Sequence, residues 1–192
     1  VLQSRIVHTI IRSNRRFAYE EAQQVIETGE GDYKEEILQL NKLAQILRDN
    51  RFKAGAINFD RYEVKFEIDE KGKPIGVYFK VAKEANKLIE EFMLLANRTV
   101  AESIGKVAKD KKAKVFVYRI HDLPDPEKLD NLKQFIARFG YKLRTGGTKG
   151  EMSKGINKLL AEVHGKAEQN LIETISLKTM QKAKYSTHNI GH

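Results

Sequence analysis

The chain has 192 residues, 41% of them hydrophobic and 32% charged, which excludes a disordered polymer and supplies apolar material for one buried core. Cysteine is absent, which excludes disulfides and thiolate metal sites, and no uninterrupted apolar run is long enough to span a membrane. The formal net charge of +9 points to a polyanionic partner, because neutralising phosphates releases condensed counterions.

In chain order, Ile6-Val-His-Thr-Ile-Ile11 is rich in β-branched residues and predicts a strand. Tyr19 to Ile26 predicts a short helix stopped by Gly29. Tyr33 to Asn50 repeats Ile37, Leu40, Leu43, Ala44 and Leu47 at helical spacing, an amphipathic helix with Glu35, Glu36, Lys42 and Arg48 outward. Ala54 to Phe59 leads into Tyr62 to Ile68, where apolar and charged residues alternate. Asp69-Glu-Lys-Gly72 is a turn, and Ile75 to Val81 returns as the second arm of a hairpin, one face of which is expected to be buried.

Lys83 to Val107 is the longest helical pattern, with Leu88, Phe92, Leu95 and Val100 among its apolar positions. Lys114 to Arg119 predicts a short strand. His121-Asp-Leu-Pro-Asp-Pro126 then opens a helix, with Asp125 as N-cap and Pro126 in the first helical position, and Gly140 stops it. Tyr141 to Gly155 reads as a linker, followed by helices over 155–164 and 166–178. There is no internal repeat and no low-complexity tract. The class is α+β, helix-rich with a small, mostly antiparallel sheet.

No complete catalytic constellation is visible. The chain has no Cys nucleophile and no HExxH motif, and Gly146-Gly-Thr-Lys149 lacks P-loop spacing. His8, His121, His164, His188 and His192 are scattered without metal-ligand spacing. No aspartate cluster offers a two-magnesium site, and Asp122 and Asp125 lie in a Pro-containing turn where capping accounts for them. The residues therefore supply neither a metal site nor a full active site.

Two features point to nucleotide binding. Glu90 and Asn97 are seven apart, nearly on one face of the long helix, with Met93, Leu94 and Ala96 around them. A carboxylate and an amide in line on a partly apolar helix can hydrogen-bond ribose hydroxyls or base edges. Tyr19 stands near Arg15-Arg16 and Phe59 near Arg61, and rings beside cations are the pattern of single-strand binding, although core packing explains the rings equally well. On these grounds a single-stranded nucleic acid is a candidate partner, and the residues go no further. A non-catalytic basic RNA-binding module and a structural or assembly domain stay open as alternatives.

Leu88-Ile-Glu-Glu-Phe-Met-Leu-Leu-Ala-Asn97, followed by Val100-Ala101, resembles the signature helix of the ribonuclease II/ribonuclease R catalytic domain, the RNB domain. Ile11-Arg-Ser13 through Tyr19-Glu-Glu21, Gly55-Ala-Ile-Asn-Phe59 with Glu63 to Phe66, and Tyr118-Arg-Ile-His-Asp-Leu-Pro124 are similar to further family motifs in the same order. Tyr185-Ser-Thr-His-Asn-Ile-Gly-His192 looks like the approach to the family's GHFGL motif. The resemblance covers essentially the whole chain and is closer to bacterial ribonuclease R than to ribonuclease II.

The resemblance implies an internal fragment, 1–192, of one RNB catalytic domain truncated at both ends, from a cytoplasmic 3′→5′ exoribonuclease. Such an enzyme threads single-stranded RNA into a channel and uses Mg2+ to release nucleoside 5′-monophosphates. It implies that Tyr19 contacts the terminal nucleotide, that Glu90 works with Tyr19 in selecting RNA over DNA, and that Phe59 closes one end of the stack of bases. The family's magnesium-binding aspartates would lie before Val1, and its phosphate-stabilising arginine after His192, so the piece alone is expected to be inactive.

Overall fold

The computed structural model describes residues 3–57, 59, 62–105, 114–145 and 149–188. The chain divides into two compact units, one of Val1–Asp49 with Asp60–Val100 and the other of Asn50–Phe59 with Ala101–His192.

The first unit is built on α1 (Tyr19–Thr28), most of α2 (Lys34–Lys53), β1 (Tyr62–Ile68), β2 (Pro74–Val81) and most of α3 (Glu84–Gly105). The α1 helix starts where the Glu21 carboxylate accepts from the Ala18 N–H at 2.9 Å, half of a capping box that Ala18 has no oxygen to complete. It ends at Gly29, whose φ of 71° suits the left-handed cap and whose N–H donates to the Val25 carbonyl. Polar links join the helices. The buried Gln23 side chain accepts from the Ala85 N–H at 2.9 Å, satisfying a first-turn donor of α3, and Arg48 forks onto both Glu84 oxygens at 3.2 and 2.8 Å.

The β1–β2 hairpin has the register the alternation implies, with Val64 opposite Phe79 and Phe66 opposite Val77. Its turn is held by the Asp69 carboxylate, which accepts from the Lys71 and Lys73 N–H groups. The expected buried face is not there. Val64, Phe66, Ile68, Val77 and Phe79 share the apolar side and are 52–66% exposed. Alternation fixes the two faces of a ribbon but says nothing of what covers either. The strand expected over Ile6–Ile11 is absent as well. The run takes no regular secondary structure and is solvent-exposed, and none of the described residues pairs with it, because β-propensity makes a strand only where a ladder partner exists.

The second unit contains β3 (Tyr118–Ile120), α4 (Pro126–Ala137), α5 (Lys149–Val163), α6 (Gln169–Thr179) and β4 (Lys184–Ser186). Leu132 and Ile136 of α4, Ile156, Leu159, Leu160 and Val163 of α5, and Ile172 of α6 form one buried cluster with Leu143. Their three- and four-residue spacings place the apolar stripe of each helix inward. Asp125 caps α4 as expected, accepting from the Glu127 and Lys128 N–H groups, with Pro126 at the first position.

Two boundaries differ from expectation. The α5 helix starts at Lys149, so part of the expected linker is helical and Gly155 lies inside a helix. A Cβ on Gly155 would come within 2.5 Å of the Arg144 carbonyl oxygen, so the glycine marks close packing and not a boundary. The strand expected from Lys114 is reduced to Tyr118–Ile120, because its antiparallel partner β4 is only three residues long. Val107, Gly146, Gly147 and residues 189–192, used in the sequence reading, lie outside the described residues, as does Arg61.

Candidate nucleic-acid interface

Tyr19 and Glu90 both fall in the first unit and both are solvent-exposed. Tyr19 opens α1 one turn before Gln23, so the two share a helix face. Gln23 bonds the Ala85 N–H, and Glu90 lies five residues further along α3, about 7.5 Å of rise. Glu91, the next residue, is buried. The Glu90-Glu91 pair therefore divides, one carboxyl toward solvent and one into the unit. Met93, Leu94 and Asn97 are exposed beyond Glu90, so the wet, partly apolar stripe read from the spacing is present.

The arginines before Tyr19 are not equivalent. Arg15 is engaged by Glu21 and Asp32, each at 3.3 Å, and lies 4.7 Å from the centre of the Phe17 ring, which meets Tyr33 edge-on at 6.3 Å. The Ala18 N–H, followed by the Arg15 charge, holds the Glu21 carboxyl below its ordinary pKa. Arg15 thus fastens the entry to α1, and Arg12 and Arg16, both exposed, remain with the exposed Arg5 as cations available to a phosphate.

Phe59 belongs to the second unit and is half-buried against the α4–α5–α6 cluster, together with Ile57. The Asn157 amide donates to the Ala56 carbonyl at 2.8 Å, tying this segment to α5 and setting the depth of Phe59. One side of the ring therefore serves the core.

Charge separates sharply between the units. Residues 50–59 and 101–192 hold 20 Lys and Arg against 10 Asp and Glu, a balance of +10, whereas residues 1–49 and 60–100 hold 15 against 16. The whole positive surplus of the chain thus sits in the second unit. Arg138, Lys142, Arg144, Lys154, Lys178 and Lys182 are exposed there with no acidic partner among the described residues. Sequence reading treated the charge as a property of the whole chain. The signal was in the composition, but only the unit boundaries could localise it.

A metal does not fit these residues. Among the described residues no three His, Asp or Glu groups converge as ligands, so no step is assigned to a metal here. Asp122 is engaged by Lys184 at 2.6 Å and Asp125 caps α4. No described helix is long and apolar enough to cross a membrane.

A helix-rich α+β chain with two small antiparallel ribbons among the described residues shares the fold of part of ribonuclease R. The structure is similar to ribonuclease R of Mycoplasma genitalium in complex with ribose-methylated single-stranded RNA, at a TM-score of 0.78 and 24% identity, covering 92% of this chain and 28% of that one. The sequence model of the RNB domain matches residues 1–192, and the chain belongs to that family. Ribonuclease R of Aquifex aeolicus is 33% identical over 97% of this chain and 26% of its own length. The DIS3-like exonuclease 2 of Caenorhabditis elegans is 34% identical over 92% of this chain and 22% of its own. The chain thus spans about a quarter of the length of the curated relatives it matches.

Proposed function

We propose that this chain supplies part of the RNA 3′-end channel of a cytoplasmic, processive 3′→5′ exoribonuclease that hydrolyses single-stranded RNA to nucleoside 5′-monophosphates. The observation that carries the reading is the RNB-domain match over all 192 residues. In this reading the exposed Tyr19 ring stacks on the terminal base and the Glu90 carboxylate accepts from the ribose 2′-OH, the group that tells RNA from DNA. Phe59, braced by the core on one side, offers its remaining surface as the stop at the end of the base stack. The basic second unit attracts the backbone.

Mg2+, when bound in the intact enzyme, supplies an activated water and neutralises the leaving oxygen. Its ligands are assigned to other parts of the protein that carries this chain, and the 192 residues alone release no mononucleotides.

The test is RNA decay by the protein that carries this chain, comparing Tyr19→Ala and Glu90→Ala with the parent. Removing one stacked contact is expected to slow decay about tenfold, and removing the carboxylate to narrow the RNA-over-DNA preference. Unchanged decay and unchanged preference in both variants would sink the assignment. RNA retention by that protein without any mononucleotide release would favour a non-catalytic RNA-binding module.

A further inference from the structure

The β3–β4 ribbon of the second unit carries a constellation with no part in the reading above. Arg119 on β3 and Tyr185 on β4 are directly opposite in the antiparallel pair, so their side chains leave the same face. The neighbouring pair, Ile120 and Lys184, takes the other face: Ile120 is buried, and Lys184 closes a 2.6 Å ion pair with Asp122. One face of the ribbon is therefore fastened to the unit and the other is open.

Tyr185 on the open face is 75% exposed, well above the 44% of Tyr19, and has no ring or cation packed on it among the described residues. Arg119 has no carboxylate partner there. It is steadied by an imidazole. Its Nη1 lies 3.5 Å from His121 Nε2, and His121 Nδ1 lies 3.3 Å from the Gln181 carbonyl oxygen. The Nδ1–H tautomer satisfies both contacts, donating to Gln181 and accepting from Arg119, so the guanidinium is aimed without being neutralised. Lys182, exposed and without an acidic partner, adds charge close by in the chain.

We propose that Tyr185 and Arg119 form a one-nucleotide subsite for single-stranded nucleic acid, with the base on the Tyr185 ring and the adjoining phosphate on Arg119. The inference rests on the RNA-binding reading above but uses different residues. The ligand is single-stranded because a lone ring reaches the face of a base only when that base is unstacked from its neighbours. No group of the subsite is placed to sense a 2′-OH, so it accepts RNA and DNA alike, unlike Tyr19 with Glu90.

These 192 residues contain no tryptophan, so Tyr185→Trp introduces the one indole of this chain. Titration of this variant with a uridine dodecamer is expected to quench its emission. Adding Arg119→Ala should raise the half-saturating concentration about tenfold, and a thymidine dodecamer should quench equally. Tyr19→Trp serves as the parallel reporter for the channel. Quenching at position 19 without quenching at position 185 overturns the subsite and leaves the channel reading standing. Quenching at 185 that Arg119→Ala leaves unchanged overturns the clamp. Quenching at neither position overturns the subsite together with the RNA-binding reading. Because Tyr185 is mostly exposed, an unchanged circular-dichroism melting curve verifies that each variant is folded.

Discussion

Gly155→Ala sets two physical effects of opposite sign against each other. Inside a helix the substitution ordinarily stabilises by about 0.5–1 kcal/mol, because glycine loses more backbone freedom on folding. Here the added Cβ would lie 2.5 Å from the Arg144 carbonyl oxygen and 3.6 Å from Leu143 Cδ1. The near atom is backbone, so relief requires moving the 143–145 segment or the helix, and Leu143 is itself part of the buried cluster. Overpacking of this kind costs about 1–3 kcal/mol, which outweighs the helical gain. A net loss of about 1–2 kcal/mol is expected, and in a chain of this size each kcal/mol lowers the melting midpoint by about 2–4 °C. Thermal unfolding followed by far-ultraviolet circular dichroism reads this directly. A midpoint equal to or above that of the parent would show that the 143–145 segment yields freely and that the close approach does not explain the glycine.

Ile136→Ala empties a fully buried position of the α4–α5–α6 cluster and should destabilise by about 2–5 kcal/mol, measured by urea unfolding. Asp125→Ala removes the acceptor for two first-turn N–H groups of α4 and should cost about 1 kcal/mol in the same assay, with Asp125→Ser recovering most of it. Arg48's hydrogen bonds hold the Glu84 carboxyl below its ordinary pKa. The folded value is depressed, so the contribution is present above the ordinary glutamate range and is lost as pH falls through the depressed value. The difference in stability between the parent and Glu84→Gln should therefore shrink on acidification. For this partly exposed pair it should stay within about 1 kcal/mol at neutral pH, and a difference that grows toward acid would refute the assignment.

What was legible in the sequence followed from local rules. Gly29 as a left-handed stop, Asp125-Pro126 as a helix start and the Asp69–Gly72 turn each act within a few residues, and each lies where its chemistry requires. The helical periods of α2 and α3 were plain enough to place both helices, although Leu40 and Leu43 of the apolar stripe read for α2 are exposed. Illegible features depended on partners far along the chain. Ile6–Ile11 has strand composition without a strand to meet, and β4 is too short to leave a periodic signal. Gly155 read as a boundary because sequence does not reveal the Arg144 carbonyl beside it. At the candidate site, Tyr19 and Glu90 were singled out by residue type and by the family resemblance, and both are exposed. The burial of Glu91 and the engagement of Arg15 by Glu21 and Asp32 became visible only in three dimensions.

The two ribbons differ in how early in folding they can form. The β1–β2 hairpin closes over a turn of a few residues, a process that takes microseconds and needs nothing else in place. The β3–β4 ribbon instead joins distant parts of the chain, and the solvent-exposed Asp122–Lys184 ion pair beside it spans 62 residues. Closing so long a loop carries an entropy cost that only a finished α4–α5–α6 cluster can offset. Arg119 and Tyr185 therefore come face to face late, as one of the last seams of the unit, and a chain halted short of that step has the same charge but no platform on which a base can rest.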